Sequence, residues 1–380
     1  MTDEIAHAWA YLSRVAEPPC PELRALARRV GPVEAADRVR SGAAEGTVGR
    51  VVEARRHIDC AAEDLEVLNR MGGRLITADD AEWPLLAFNA FNVFEGVRYR
   101  PQAHEPMVLW AVGPAYLDEV SDRAAAIVGT RAATAYGEFV AADFAAGLAV
   151  RDVAVVSGGA FGIDGAAHRA ALAAEGTTVA VTAGGIDVPY PSAHAAMLRQ
   201  IREHGLVVSE YPPGERPARH RFLTRNRLVA VLAGATVVVE AGARSGAANT
   251  AAWARALGRQ VCAVPGPVTS SASVGCHALL RDGARVVTRV EEIVELVGHM
   301  GELAPEEVRP VSELDGFTDT DKRVYDALPA RGARTVDEIA VAAGLPPTQV
   351  LGPLAVLELS GLVMRKEGRW KLVRSASRAR

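Results

Sequence analysis

From about residue 124 onward, short uninterrupted apolar runs alternate with longer Ala-rich stretches. The runs are Ala124–Val128, Val153–Val156, Thr178–Val181, Leu206–Val208, Thr236–Val239, Val261–Val264 and Arg285–Val287. Apolar runs without polar alternation predict strands covered on both faces, and the Ala-rich segments between most of them predict helices. This pattern predicts an α/β fold: a doubly wound, Rossmann-like, mostly parallel sheet over residues 119–298. Ligands of such sheets lie beyond the carboxyl ends of the strands. The polar motifs of this chain fall at those ends.

The flanks follow other periods. In residues 1–75, Ile5, Ala8, Trp9 and Leu12 recur at helical spacing, and Leu23, Leu26, Ala27 and Val30 do so again before Gly31-Pro32. This predicts an N-terminal helical domain, SAM- or helix-hairpin-helix-like, serving either as a packing module or as a holder of DNA backbone. Residues 76–118 read as a connector whose aromatics, Trp83, Phe88, Phe91, Phe94 and Trp110, pack on the core. Residues 299–316 read as a linker. Three helical segments, Thr320–Leu328, Thr335–Ala343 and Pro347–Leu359, precede a hairpin turning at Glu367-Gly368. They predict a C-terminal winged-helix domain over 317–373, with a capping box from Thr335 to Glu338. A basic tail, 374–380, follows.

Composition narrows the chemistry. The chain is 49% hydrophobic and 23% charged with a net charge of −4, an ordinary globular balance. No apolar run is long enough to span a membrane, and the N-terminus carries no signal-peptide pattern, so a cytoplasmic location is expected. Cys20, Cys60, Cys262 and Cys276 suit neither a zinc site nor a disulfide framework. The lysines are Lys322, Lys366 and Lys371 alone. The chain before Lys322 therefore holds neither a Walker P-loop nor a Schiff-base lysine. No metal or cofactor is called for. Any polyanion must be met by local clusters of arginine.

The candidate chemistry sits on successive strand ends. Gly129 and Arg131 close the first strand; arginine can hold a phosphate with two parallel hydrogen bonds. Ser157, Gly158, Gly159 and Gly162 form the turn after the second strand and open an Ala-rich helix, an arrangement that aims N–H groups at an anion. Asp164 and His168 share a face of that helix. They are either a proton-transfer pair or a cap and a locally bonded ring. Tyr190 either stacks on a base or plugs its loop onto the core. Arg216, Arg219, His220, Arg221, Arg225 and Arg227 crowd into twelve residues with Phe222 and Asn226 among them, and only Glu215 nearby opposes them. Charge interleaved with an aromatic suits a single-strand groove. Ser245 and Gly246 open a further helix whose N-terminus can face an anion.

Together these motifs resemble the DprA/Smf DNA-processing family. The matching residues run from Val128-Gly129-Thr130-Arg131 through Ser157–His168, Tyr190-Pro191, Ser209-Glu210-Tyr211-Pro212 and Arg225-Asn226-Arg227. They continue through Ser245-Gly246 and Pro265-Gly266 to Gly283-Ala284. The chain departs from the pattern at Ser192, at His194 and at Leu223-Thr224. The resemblance implies a dimeric, non-enzymatic protein that binds and protects single-stranded DNA and loads RecA during DNA uptake. It implies phosphate contacts at Arg131 and the Ser157–Gly159 turn, supported by Arg225 and Arg227. The alternatives are a nucleotide-binding sensor, or a phosphoribohydrolase-like enzyme on the same fold, although Glu240-Ala-Gly-Ala stands where that enzyme's glycine signature would lie. The third helix of the winged-helix segment, Pro347–Leu359, has no Arg or Lys. This favours protein contact or non-specific assistance over sequence reading.

Overall fold

The structure is a computed structural model and describes residues 1–97, 99–243, 245–299, 301–304 and 314–373. The expected tail, 374–380, and most of the expected linker lie outside these. The chain divides into two compact units, residues 1–305 and 306–380.

The first unit begins with five helices: α1 (Asp3–Val15), α2 (Pro21–Val30), α3 (Pro32–Ser41), α4 (Gly46–Val52) and α5 (Ala61–Arg70). Gly31, at φ +85°, turns α2 directly into α3. Then come β1 (Gly73–Ile76), the short helices α6 (Leu85–Phe88) and α7 (Ala90–Val93), β2 (Leu109–Val112) and α8 (Leu117–Asp122). The alternating region supplies β3 (Ala124–Val128), α9 (Ala135–Ala149), β4 (Ala154–Ser157), α10 (Ile163–Ala173), β5 (Thr178–Val181), α11 (Ala195–His204) and β6 (Leu206–Ser209). It continues with α12 (Arg219–Val231), β7 (Ala235–Val238), α13 (Gly246–Ala256), β8 (Gln260–Ala263), α14 (Val274–Arg281), β9 (Arg285–Val286) and α15 (Val290–Val297). The seven expected strands are all present.

They form one sheet of order β1-β2-β6-β5-β4-β3-β7-β8-β9. From β6 to β9 every pairing is parallel. The sheet extends beyond the alternating region, because β2 joins β6 antiparallel and β1 joins β2 antiparallel. The connector therefore supplies a strand of its own, with Trp110 fully buried in it. Its aromatics Trp83, Phe88 and Phe91 pack into the sheet's core as expected, whereas Phe94 stays 43% exposed.

Strand alternation assigns the two faces. Ala124, Ala126 and Val128 of β3 pack with α12 and α13, whereas Ala125 and Ile127 pack with α9, α10 and α15. The apolar side of α1–α5 closes over Trp110, Val112, Val207 and Ala180, so these helices share a core with the β1–β5 end of the sheet. The chain moves outward from β3 to β6, then returns through α12 to place β7 on the other side of β3. The loops after β3 and β7 thus diverge to opposite faces, and a crevice opens between them.

The second unit contains α16 (Asp319–Asp326), α17 (Val336–Ala343), α18 (Pro347–Leu359) and the hairpin of β10 (Val363–Lys366) and β11 (Arg369–Leu372). It is a winged helix with its own core, including Ile339, Val350, Leu354, Leu357 and Trp370. The Thr335–Glu338 capping box forms as its sequence predicts.

Candidate nucleic-acid interface

A crevice of about 850 Å3 lies at the reversal of strand order. Its walls come from the end of β3, the turn after β4, one side of α12 and the start of α13. Gly129, Arg131, Gly158, Asp164 and Tyr190 line it. So do Arg225, Asn226, Ser245 and Gly246. Nine of the fourteen predicted site residues therefore converge on one hollow; Ser157, Gly159, Gly162, Arg221 and Arg227 do not line it.

The rim is charged and aromatic. The exposed Arg131 guanidinium lies 5.3 Å from the centroid of the Phe222 ring, and the Phe222 and Tyr190 rings are 5.2 Å apart. Tyr190 is 46% exposed, so its ring faces the opening rather than plugging the core. Phe222, itself in the crevice wall, links the two predicted residues, in keeping with the aromatic expected within the basic cluster.

The floor is built differently from expectation. The Gly158 N–H donates to Asp164 Oδ2 at 3.1 Å, with Ala160 N at 3.5 Å from the same oxygen. An internal carboxylate thus takes the place predicted for a phosphate at this turn. The Ser157 hydroxyl is buried and donates to the Ile127 carbonyl at 2.6 Å, which removes it from the site. Arg225 is buried beneath the turn, donating to the Gly158 carbonyl at 2.8 Å and to the Val181 carbonyl. Burial pushes its guanidinium down to about 10, against the opposing pull of Asp164. Burial also raises the Asp164 carboxyl, against Arg225 and the N–H bonds. Arg225 is therefore a brace of the floor that remains cationic at neutral pH. Gly159 and Gly162, at φ +67° and +72°, shape the turn. A Cβ at Gly162 would strike the Thr130 carbonyl, so glycine lets the β3 and β4 loops touch.

Two other cations are withdrawn into ion pairs. Arg227 is fully buried and bidentate to Glu210, both bonds at 2.6 Å. Arg221 holds Glu17 at 2.7 and 2.9 Å and Glu215 at 2.7 Å. Both tie α12 to its surroundings instead of facing the crevice. Asn226 donates to Asn249 Oδ1 at 3.1 Å across the α12–α13 contact. Ser245 caps α13 through the Ala248 N–H, leaving Gly246 exposed at its start.

Asp164 and His168 do not form a proton-transfer pair. His168 is buried and bonds Thr178 Oγ1 at 2.7 Å; burial pushes its pKa down to about 3, so the ring stays neutral. In the second unit the cations Arg365, Lys366 and Arg369 are exposed on the hairpin, while α18 exposes Leu351, Val356 and Leu359. The third helix thus presents an apolar outer side.

The first unit is a Rossmann-like domain with a crevice at the strand reversal, and the second is a winged helix. The model of the family described as DNA recombination-mediator protein A matches residues 74–298, and that of the sugar-specific transcriptional regulator TrmB matches residues 314–378. The putative DNA processing protein DprA of Mycobacterium tuberculosis is 68% identical over 377 residues, covering 99% of this chain and 97% of that protein. Protein Smf of Escherichia coli is 37% identical, covering 67% of this chain and 69% of its own. The chain belongs to the DprA/Smf family of DNA recombination mediators. Among solved structures, DprA of Streptococcus pneumoniae matches with a TM-score of 0.63 at 28% identity, covering 78% of this chain and 99% of that one. DprA of Helicobacter pylori, solved for its single-stranded DNA binding mode, matches with a TM-score of 0.50 at 27% identity, over 58% of this chain and 94% of that one.

Proposed function

We propose that this chain binds single-stranded DNA in the crevice, protects the strand and passes it to RecA in the cytoplasm during DNA uptake and recombination, performing no covalent chemistry of its own. The observation that carries the reading is the rim, where Arg131 lies over Phe222 and Phe222 lies beside Tyr190. A guanidinium meets phosphate while rings take unpaired bases, a combination that a duplex with its bases stacked inside cannot satisfy. Gly129, the Gly158 turn, Asn226, Ser245 and Gly246 shape the trough, and Arg225 with Asp164 holds its floor rigid. The family and the Helicobacter pylori relative's single-stranded DNA support the same ligand.

We place the homodimer surface in the Gln260–Val290 stretch. Its β9 is an open sheet edge, with Val286 51% exposed. An open edge with an exposed apolar residue is suited to pairing with a second copy.

Fluorescence anisotropy with single- and double-stranded oligonucleotides across a salt series tests the reading. The single strand binds more tightly, with log K falling against log salt by ~0.7 for each phosphate held. Equal or tighter binding of the duplex would contradict it. A mononucleotide competing as well as the oligomer would point instead to a nucleotide sensor, and release of free base from nucleoside monophosphates would point to an enzyme.

A further inference from the structure

The crevice continues past the start of α12. Pro217 and Ala218 line it, and the same two residues line a second basin of about 620 Å3. The far wall of that basin comes from the N-terminal helical segment, through Glu17 after α1 and Arg55 after α4.

The charges around this passage are unequally committed. Glu17 accepts from Arg221 and Arg55, and Glu215 from Arg221 and Arg14. Arg14 also holds Asp64 and the Pro213 carbonyl, which fixes the basin wall. The basin's two acids are thus engaged. Arg216 and Arg219 immediately flank Pro217-Ala218; both are exposed, and neither side chain has a polar partner among the described residues. Arg219 faces the crevice and Arg216 the basin. Ala218 is extended, at φ −134° and ψ 156°, so the Cα atoms of the two arginines lie at most about 11 Å apart.

Two uncommitted guanidiniums, one on each side of a saddle joining two open hollows, suit an anion that crosses the saddle. A mononucleotide would be accommodated in the crevice alone and would leave Arg216 without a contact. We propose that a single polynucleotide strand leaves the crevice over Pro217-Ala218 and enters the basin, where Arg216 holds its phosphate and the N-terminal helices form the second wall of the track. This rests on the crevice reading above and extends it: the helical segment becomes part of the binding surface for longer strands.

The test is anisotropy with thymidine oligomers of about 6 and about 20 nucleotides, against the full chain and its Arg216→Ala and Arg216→Glu variants. Circular dichroism melting confirms that the variants, altered at an exposed position, fold as the parent does. The 20-mer is expected to bind the parent more tightly than the 6-mer. Arg216→Ala should weaken the 20-mer about fivefold at 0.1 M salt, as loss of one phosphate contact requires, and Arg216→Glu should weaken it more. Neither should move the 6-mer by more than about twofold, because the short strand fits within the crevice. An unchanged 20-mer overturns the proposal, as does an equal loss for both lengths. If neither oligomer binds the parent, the crevice reading itself fails and this inference falls with it.

Discussion

The Arg131 guanidinium stands 5.3 Å from the centre of the Phe222 ring, so charge and aromatic surface form one continuous patch at the crevice rim. The two residues should nevertheless fail in different ways. Arg131→Ala should weaken single-strand binding and flatten its salt dependence by ~0.7 in log–log slope. Phe222→Ala should cost about 1–3 kcal/mol of binding with the slope unchanged, because a stacked base is lost and no counterion is released. A salt titration of both variants separates the two effects; identical slopes for Arg131→Ala and the parent would remove Arg131 from phosphate contact.

Arg227 and Glu210 form a buried, bidentate pair between α12 and the end of β6. Arg227→Met leaves Glu210 buried and unpaired, and should destabilise the first unit by about 3–5 kcal/mol. Replacing both, as Arg227→Met with Glu210→Leu, should restore much of the loss, since the pair must offset its own desolvation. Chemical denaturation of the parent and both variants measures this. A single variant as stable as the parent would contradict the structural role.

His168 gives the fold a pH dependence. Its folded pKa is pushed down to about 3, whereas an unfolded histidine titrates near ~6.5. Between these values the unfolded chain binds a proton that the native ring refuses, so stability is full above the upper value and declines as pH falls. From pH 7 to pH 5 this contribution amounts to about 2 kcal/mol. In His168→Gln, unfolding free energies at the two pH values should differ by that much less than in the parent. An unaltered difference would show that the buried ring does not govern acid sensitivity.

Gly162, at φ +72°, lies against the Thr130 carbonyl. Gly162→Ala meets both a disfavoured backbone conformation and a collision with main chain, so its cost should exceed ~1 kcal/mol. The β3 and β4 loops should separate, weakening oligonucleotide affinity along with thermal stability. A variant that melts and binds like the parent would contradict this packing.

The alternating half of the fold was legible because strands of a parallel sheet, covered on both faces, must be apolar throughout. The strands β1 and β2 were not. Gly73–Ile76 is only half apolar, and Leu109–Val112 lies inside a connector whose aromatics masked its strand character. The winged helix was readable from its caps and its turn. At the site, sequence motifs brought Arg131, Gly158, Tyr190 and Arg225 to one crevice, but charge density alone misjudged the α12 cluster. Apart from Glu215, its counter-ions come from Glu17, which is 204 residues from Arg221, and from Glu210 just past the end of β6. No local pattern announces such partners. Asp164 is only six residues from Gly158 and stands among the predicted site residues, but spacing did not reveal that its carboxylate satisfies the very amide expected to meet phosphate. Conversely, Arg216 and Arg219 stand out only after the neutralised members of their cluster are known.

In the proposed function, bases lie against the ring pair at the crevice rim. Photocrosslinking a single strand that carries 5-iododeoxyuridine, followed by peptide mapping, tests this directly. Adducts are expected on the peptides containing Tyr190 and Phe222, reduced in Arg131→Ala. Adducts confined to the hairpin around Trp370, with none at the rim, would contradict it.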